Sequence, residues 1–137
     1  MMKRIFLLLS IFCLLIACRD TLSTNSLMVH DAAALQQAIE TAKPGDEIIL
    51  SNGIWKDLNI KFAAKGTKDQ SITLRAETPG KVLIQGESNL RLGGEYLVVD
   101  GLHFSNGFSP QGSVIEFAIN DKMIANHCRI TNCVIEG

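Results

Sequence analysis

No apolar run in this 137-residue sequence is long enough to cross a bilayer as a helix. The run from Ile5 to Ile16, broken only by Ser10, falls short of the roughly 20 residues a span requires, and polar Arg19, Asp20 and Thr21 follow soon after it. Positive charge is in short supply as well. The formal net charge is −1, and removal of the segment up to Ala17, which carries Lys3 and Arg4, would take it to −3. No net basic charge therefore gathers an anionic polymer by long-range steering, nucleic acid is not expected as a partner, and recognition of any polyanion has to be local. Paired cysteines at metal-binding spacing are also missing. Of the four cysteines, Cys13 and Cys18 lie near the start, and Cys128 and Cys133 are not spaced as Cys-x-x-Cys. They read as buried free thiols, although an oxidising compartment leaves a disulfide open. His30 and His127 likewise have no partner at ligand spacing.

What is present begins with an export signal. Lys3 and Arg4 form a positive n-region, Ile5 to Ile16 an h-region, and Ala17 a small residue before Cys18. Leu15-Ile16-Ala17-Cys18 resembles a bacterial lipobox, in which the cysteine takes a diacylglyceryl group and becomes the first mature residue. The expectation is an exported protein, periplasmic or on the cell surface, with residues 1–17 as signal, Cys18 as the lipid attachment to a bacterial membrane, and residues 18–28 as a polar tether. An ordinary secretory signal is the alternative.

Beyond the tether, Leu35, Ala38, Ile39 and Ala42 recur at helical spacing. Asp31 is placed to cap a helix over 31–42, and Lys43-Pro44-Gly45 to stop it. From Glu47 onward the helical period is absent. Short apolar or alternating runs take over: 48–50, 58–62, 72–74, 82–84, 90–92, 96–99 and 102–104. Turn residues separate them, among them Ser51-Asn52-Gly53, Thr78-Pro79-Gly80, Gly86, Gly93-Gly94 and Asp100-Gly101. The fold class is all-β.

An antiparallel sandwich and a coiled parallel β-helix both give strands this short. The similar segments starting at Glu47, Ser71 and Tyr96 recur at nearly equal steps, and a period in the twenties favours one solenoid coil per repeat. Stacked coils would place Ile48, Ile72 and Leu97 in one inward column. Residues 106–126 are expected as a loop inserted before the fourth match at 129–135, and the helix as a cover for the first coil's open edge. Because the sequence stops at Gly137 within a strand-like run, the β-helix is expected to be C-terminally truncated.

The ordered blocks Ala42-Lys43-Pro44-Gly45-Asp46-Glu47-Ile48, Asn52-Gly53-Ile54-Trp55, Ile72-Thr73-Leu74-Arg75-Ala76-Glu77-Thr78-Pro79-Gly80-Lys81-Val82, Ile84-Gln85-Gly86 and Gly101-Leu102-His103-Phe104-Ser105-Asn106-Gly107 resemble the N-terminal third of polysaccharide lyase family 6, which includes alginate lyases and chondroitinase B. The resemblance implies a right-handed parallel β-helix with an N-terminal capping α-helix, making 29–137 the cap and first rungs of a lyase domain. It also implies β-elimination on an anionic uronate polysaccharide, alginate or dermatan sulfate. In that reaction a cation on the carboxylate stabilises the enolate-like intermediate while a base removes the C5 proton. The family's calcium, held by Asn and Glu, and its lysine base and arginine acid come from later coils, so the resemblance carries no catalytic or metal residue onto this sequence.

Lys56, Lys61, Lys65, Lys81, Arg75, Arg91 and Arg129 alternate with apolar residues and read as a solvated face. Among them Arg75 and Arg129 are candidates for a weak polyanion contact if they project from one sheet. His103 reads as an exposed strand histidine, Asp100 and Asn132 as turn-bonding residues in comparable places, and Trp55 as packed under the capping helix. A non-catalytic glycan-binding surface lipoprotein is the alternative from outside enzymology.

Overall fold

In the computed structural model, which describes residues 24–137, Asp31 adopts an extended backbone and its Oδ1 accepts a 2.8 Å hydrogen bond from the Ala34 N–H. That cap satisfies one of the free donors at the start of α1 (Ala32–Thr41). The helix ends at Ala42, and the chain turns through Lys43-Pro44-Gly45-Asp46, where Gly45 takes φ +90° and Asp46 Oδ2 accepts from the Lys43 N–H. Proline then glycine is what such a turn demands, because only glycine adopts that φ without strain. Leu35, Ala38 and Ile39 face inward and are buried.

Ahead of the helix lies β1 (Ser26–Val29), a strand within the stretch whose residues up to 28 read from sequence as tether. After it the chain winds in coils of three strands. The first coil is β2 (Glu47–Leu50), β3 (Gly53–Lys56) and β4 (Asn59–Lys65); the second is β5 (Ile72–Ala76), β6 (Val82–Glu87) and β7 (Asn89–Glu95). The third holds β8 (Leu97–Asp100), β9 (His103–Phe108), β10 (Ile115–Glu116), β11 (Ala118–Asn120) and β12 (Met123–Asn126). A fourth opens with β13 (Arg129–Thr131) and β14 (Val134–Ile135). Every pairing between coils is parallel; the one antiparallel pair among the described residues is the β11–β12 hairpin. This is a parallel β-helix, and the sandwich is excluded.

Sheet A runs β1-β2-β5-β8-β13, sheet B runs β3-β6-β9-β14, and sheet C stacks β4, β7 and then β10 with β12. Strand β3 and the continuation of β7 through Gly93-Gly94 are hidden in sequence by residues that read as turns. Gly94 takes φ +116°, and a Cβ there would lie 1.9 Å from the Ala64 carbonyl oxygen. It marks a close approach of two rungs within a strand, a role glycine can fill without breaking the ladder.

The inward columns run through the coils. Ile48, Leu74, Val99 and Ile130 are register partners in sheet A, and Trp55, Ile84, Phe104 and Ile135 in sheet B. In sheet C, Ile60, Leu90 and Ile115 stack beside Phe62 and Leu92. The expected column of Ile48, Ile72 and Leu97 is therefore half right: Ile72 pairs with Leu97, but Ile48 stands on Leu74, because Glu47 pairs with Thr73 and not with Ser71. A shift of two preserves the strand's two-residue alternation, so all three still point inward and are buried. Leu35, Ala38 and Ile39 belong to the same core and floor the first coil, with α1 packed on β4, β1 and β2.

The expected loop at 106–126 carries strand. β10 pairs with Leu90 and Arg91 of β7, and the end of β12 pairs with Gly94 and Glu95, so the stretch 117–124 stands where β7 has only 92 and 93. The rung is kept and the excess leaves it as a hairpin over Gly93, whose missing side chain is the space filled by Ile119 and Met123.

Leu74 is fully buried, whereas Ile54 is 65% exposed on the outer face of sheet B. Leu74→Ala is expected to lower unfolding free energy by about 3 kcal/mol, and Ile54→Ala by about 0.5 kcal/mol or less, in urea titrations of the full-length protein.

Candidate functional site

Two outward columns cross the solvent face of sheet A. One is Ser26, Glu47, Thr73, Val98 and Arg129; the other is Met28, Ile49, Arg75, Asp100 and Thr131. The two candidate contact residues thus share one face, Arg75 on the second coil and Arg129 two rungs farther along. Rung and residue spacings put their backbones roughly 12 Å apart.

Their surroundings differ. Arg75 reaches diagonally to the coil below, where its Nε lies 2.7 Å from Glu47 Oε1 and its Nη2 3.3 Å from Oε2, while Nη1 donates to the Ala76 carbonyl at 2.9 Å. Ser26 adds a 2.9 Å hydrogen bond to Glu47, extending the tie to β1. The hydrogen bond from Arg75 holds the Glu47 carboxyl below its usual 4.5, against an opposing push from burial, and the same bond raises the Arg75 guanidinium further above its ordinary range. Arg75 is committed to joining coils. The Arg129 guanidinium is exposed and makes no ion pair with another described residue.

Other residues singled out from sequence also serve the stack. Arg91 is paired with Glu116 in the next rung at 2.9 Å, and Lys65 with Glu95 at 3.6 Å. His103, expected to be exposed, is largely covered, with its Nε2 2.8 Å from Glu136 Oε1. His127 stacks on Tyr96 with ring centroids 4.8 Å apart and planes 9° from parallel. Neither contact is visible in sequence, since residues so far apart along the chain meet only once the coil length and its insertion are known. Asn132 donates to Asp100 at 2.8 Å, the turn bonding expected. Its place is one residue off the expected one, because it occupies the left-handed corner of Gly101 (φ +51° against +77°) and not that of Asp100. Trp55 is buried, and its ring N–H donates to the Ser51 carbonyl at 3.0 Å.

Cys128 and Cys133 are free and packed against the core at opposite ends of β13. The strand Arg129–Thr131 and the corner at Asn132 lie between them, and no disulfide joins them. Burial pushes the Cys133 thiol up, keeping it protonated. Among the described residues no three His, Cys, Asp or Glu side chains converge as a metal ion would require, and the calcium implied by the resemblance has no ligands identified here. Cys18, residues 1–17 and most of the tether lie outside the described residues. No helix of the described residues is long and apolar enough to cross a membrane.

The sequence profile described as Chondroitinase B matches residues 29–137. Among solved structures, the PL6 family alginate lyase AlyGC is 51% identical with a TM-score of 0.79, covering 80% of this chain and 15% of its own. The PL6 family polysaccharide lyase from Pseudopedobacter saltans is 39% identical with a TM-score of 0.72, covering 80% of this chain and 24% of its own. A mannuronic acid specific polysaccharide family 6 lyase from human gut microbiota is 32% identical with a TM-score of 0.77, covering 82% and 26%. The chain thus spans about a quarter or less of the length of these proteins. No curated protein matches it.

The Arg75–Glu47 pair yields a pH signature. A carboxyl depressed in the folded state adds stability above its unfolded pKa and loses it as pH falls through the lower folded value. Arg75→Met is therefore expected to cost about 1 kcal/mol at neutral pH. In chemical denaturation across a pH series, that cost should shrink once the pH drops below the ordinary 4.5 of Glu47.

Proposed function

Since the chain belongs to the chondroitinase B family, polysaccharide lyase family 6, we propose that the protein cleaves a uronic-acid-containing polysaccharide by β-elimination, with alginate as the preferred substrate. The observation that carries this reading is the 51% identity to an alginate lyase over 80% of the chain. The mannuronic acid specific lyase, at lower identity, supports the same polymer. The profile's own description supports dermatan sulfate as the alternative.

β-Elimination needs three things in one place: charge stabilisation at the uronate carboxylate, a base within hydrogen-bond reach of C5, and an acid for the leaving oxygen. The described residues offer no such set. Arg75, Arg91 and Lys65 are bound to carboxylates of neighbouring coils, His103 is paired with Glu136, and no three His, Cys, Asp or Glu side chains among the described residues converge on a metal position. No catalytic step is assigned to this chain. Its role in this reading is to start the solenoid and hold its rungs in register for the coils that bear the chemistry. Of the two candidate arginines, Arg129, exposed and without an ion pair among the described residues, is the one available for a weak contact with a uronate carboxylate. The export signal and Cys18 support placement outside the cytoplasm on a lipid anchor, where a polymeric substrate is met.

Incubation of the full-length protein with alginate is expected to raise ultraviolet absorbance from the unsaturated uronate, with a smaller response or none on dermatan sulfate. Silence with both polymers would remove the lyase reading. The isolated 137-residue chain is expected to show no turnover; measurable activity would mean that the active site lies within it.

A further inference from the structure

The first strand leaves an unusual surface. β1 is the edge of sheet A, paired with β2 on one side only. Its Leu27 and Met28 are 52% and 41% exposed, although Val29 beside them is buried. Between β1 and α1 runs a groove of about 290 Å³ lined by Leu27, Met28, Ala34 and Ala38, with polar Gln37 and Thr41 beside them. This is the floor of the solenoid, because every later rung stacks on the other side of β1.

The chain itself indicates what meets that floor. Only the stretch 19–25 separates Cys18 from Ser26, and at full extension the chain between those two residues reaches about 29 Å. On the reading that Cys18 carries a diacylglyceryl group, the groove cannot lie farther than this from the membrane. A contact too small to bind a bilayer unaided becomes effective when a short tether makes it intramolecular. No charged side chain lines the groove, so attraction to anionic lipid is not the driving force. The outer edge of β1 carries backbone groups that hydrocarbon would leave unpaired, which confines the contact to the headgroup layer, where water and lipid oxygens satisfy them.

We propose that the β1–α1 groove is a membrane foot: it seats on the headgroup layer through Leu27 and Met28, and the coils rise away from the bilayer by about 4.8 Å per rung. Later coils are thereby lifted clear of the surface and stand open to a soluble polymer. The proposal rests on the lipid-anchor reading. The competing occupant of an apolar edge strand is a second copy of the chain.

The test is hydrogen exchange on the full-length lipidated protein in neutral phosphatidylcholine vesicles, with the mass of the Cys18 peptide measured on the same sample. Amides of 26–41 are expected to exchange roughly tenfold more slowly in the lipidated protein than in Cys18→Ser protein mixed with the same vesicles. A lipidated Leu27→Asp, Met28→Asp variant should stay on the vesicles yet lose that protection. Equal exchange in lipidated and Cys18→Ser protein would overturn the foot while leaving the anchor intact. Protection of the Cys18→Ser protein that grows with its concentration and needs no vesicles would assign the groove to a second copy. A Cys18 peptide without added mass would instead defeat the anchor, and the foot with it.

Discussion

The structure depends on one constraint, that each strand lies parallel to and in register with the strand a coil below. Because pairing partners lie a whole coil apart along the chain, no local segment is stable by itself. Side chains such as Ile48, Leu74, Val99 and Ile130 bury one another only once the rungs are stacked. A parallel stack has no hairpin turn to set its register, so the register must come from side chains. Inside, it comes from the two-residue alternation of apolar groups. Outside, it comes from ties that span coils: Glu47 with Arg75, Arg91 with Glu116, His103 with Glu136 and Asp100 with Asn132. Arg75, Arg91 and Lys65, which read from sequence as part of a solvated face, each form an ion pair that spans two coils.

A stack of this kind also needs a beginning. α1 supplies it by laying Leu35, Ala38 and Ile39 under the first coil, and β1 extends sheet A one rung below β2. The end of the solenoid that is closed by packing is its N-terminal one. The opposite end presents Val134 and Ile135, 45% and 56% exposed, and the known structures that match are several times longer than the part they share with this chain.

Much of this is legible in the sequence because it is local. Asp31 as cap, Pro44-Gly45 as stop, and runs such as Ile72-Thr73-Leu74 declare helix and strand from their immediate neighbours. What stays hidden depends on coil length. An alternation of period two cannot tell the pairing of Glu47 with Thr73 from a pairing with Ser71, so Ile48 is set beside the wrong partner without any change in which side chains face inward. The hairpin at 117–124 is hidden because β10 and β12 are two halves of one rung, split by their own insertion. Glycines mislead where they act inside strands: Gly93 and Gly94 serve close packing and not a turn. At the candidate site, strand alternation suffices to raise Arg75 and Arg129 as partners on one face, but not to show that Glu47 already holds the first of them.

Middle rungs are held from both sides and end rungs from one. Amide exchange measured residue by residue on the full-length protein tests it directly. The slowest exchange within residues 24–137 should fall in β5 and β7, whose strands are paired above and below, with β1 clearly faster. Slow exchange concentrated in α1 and β1, with β5 and β7 open to solvent, would contradict a core built by stacking coils.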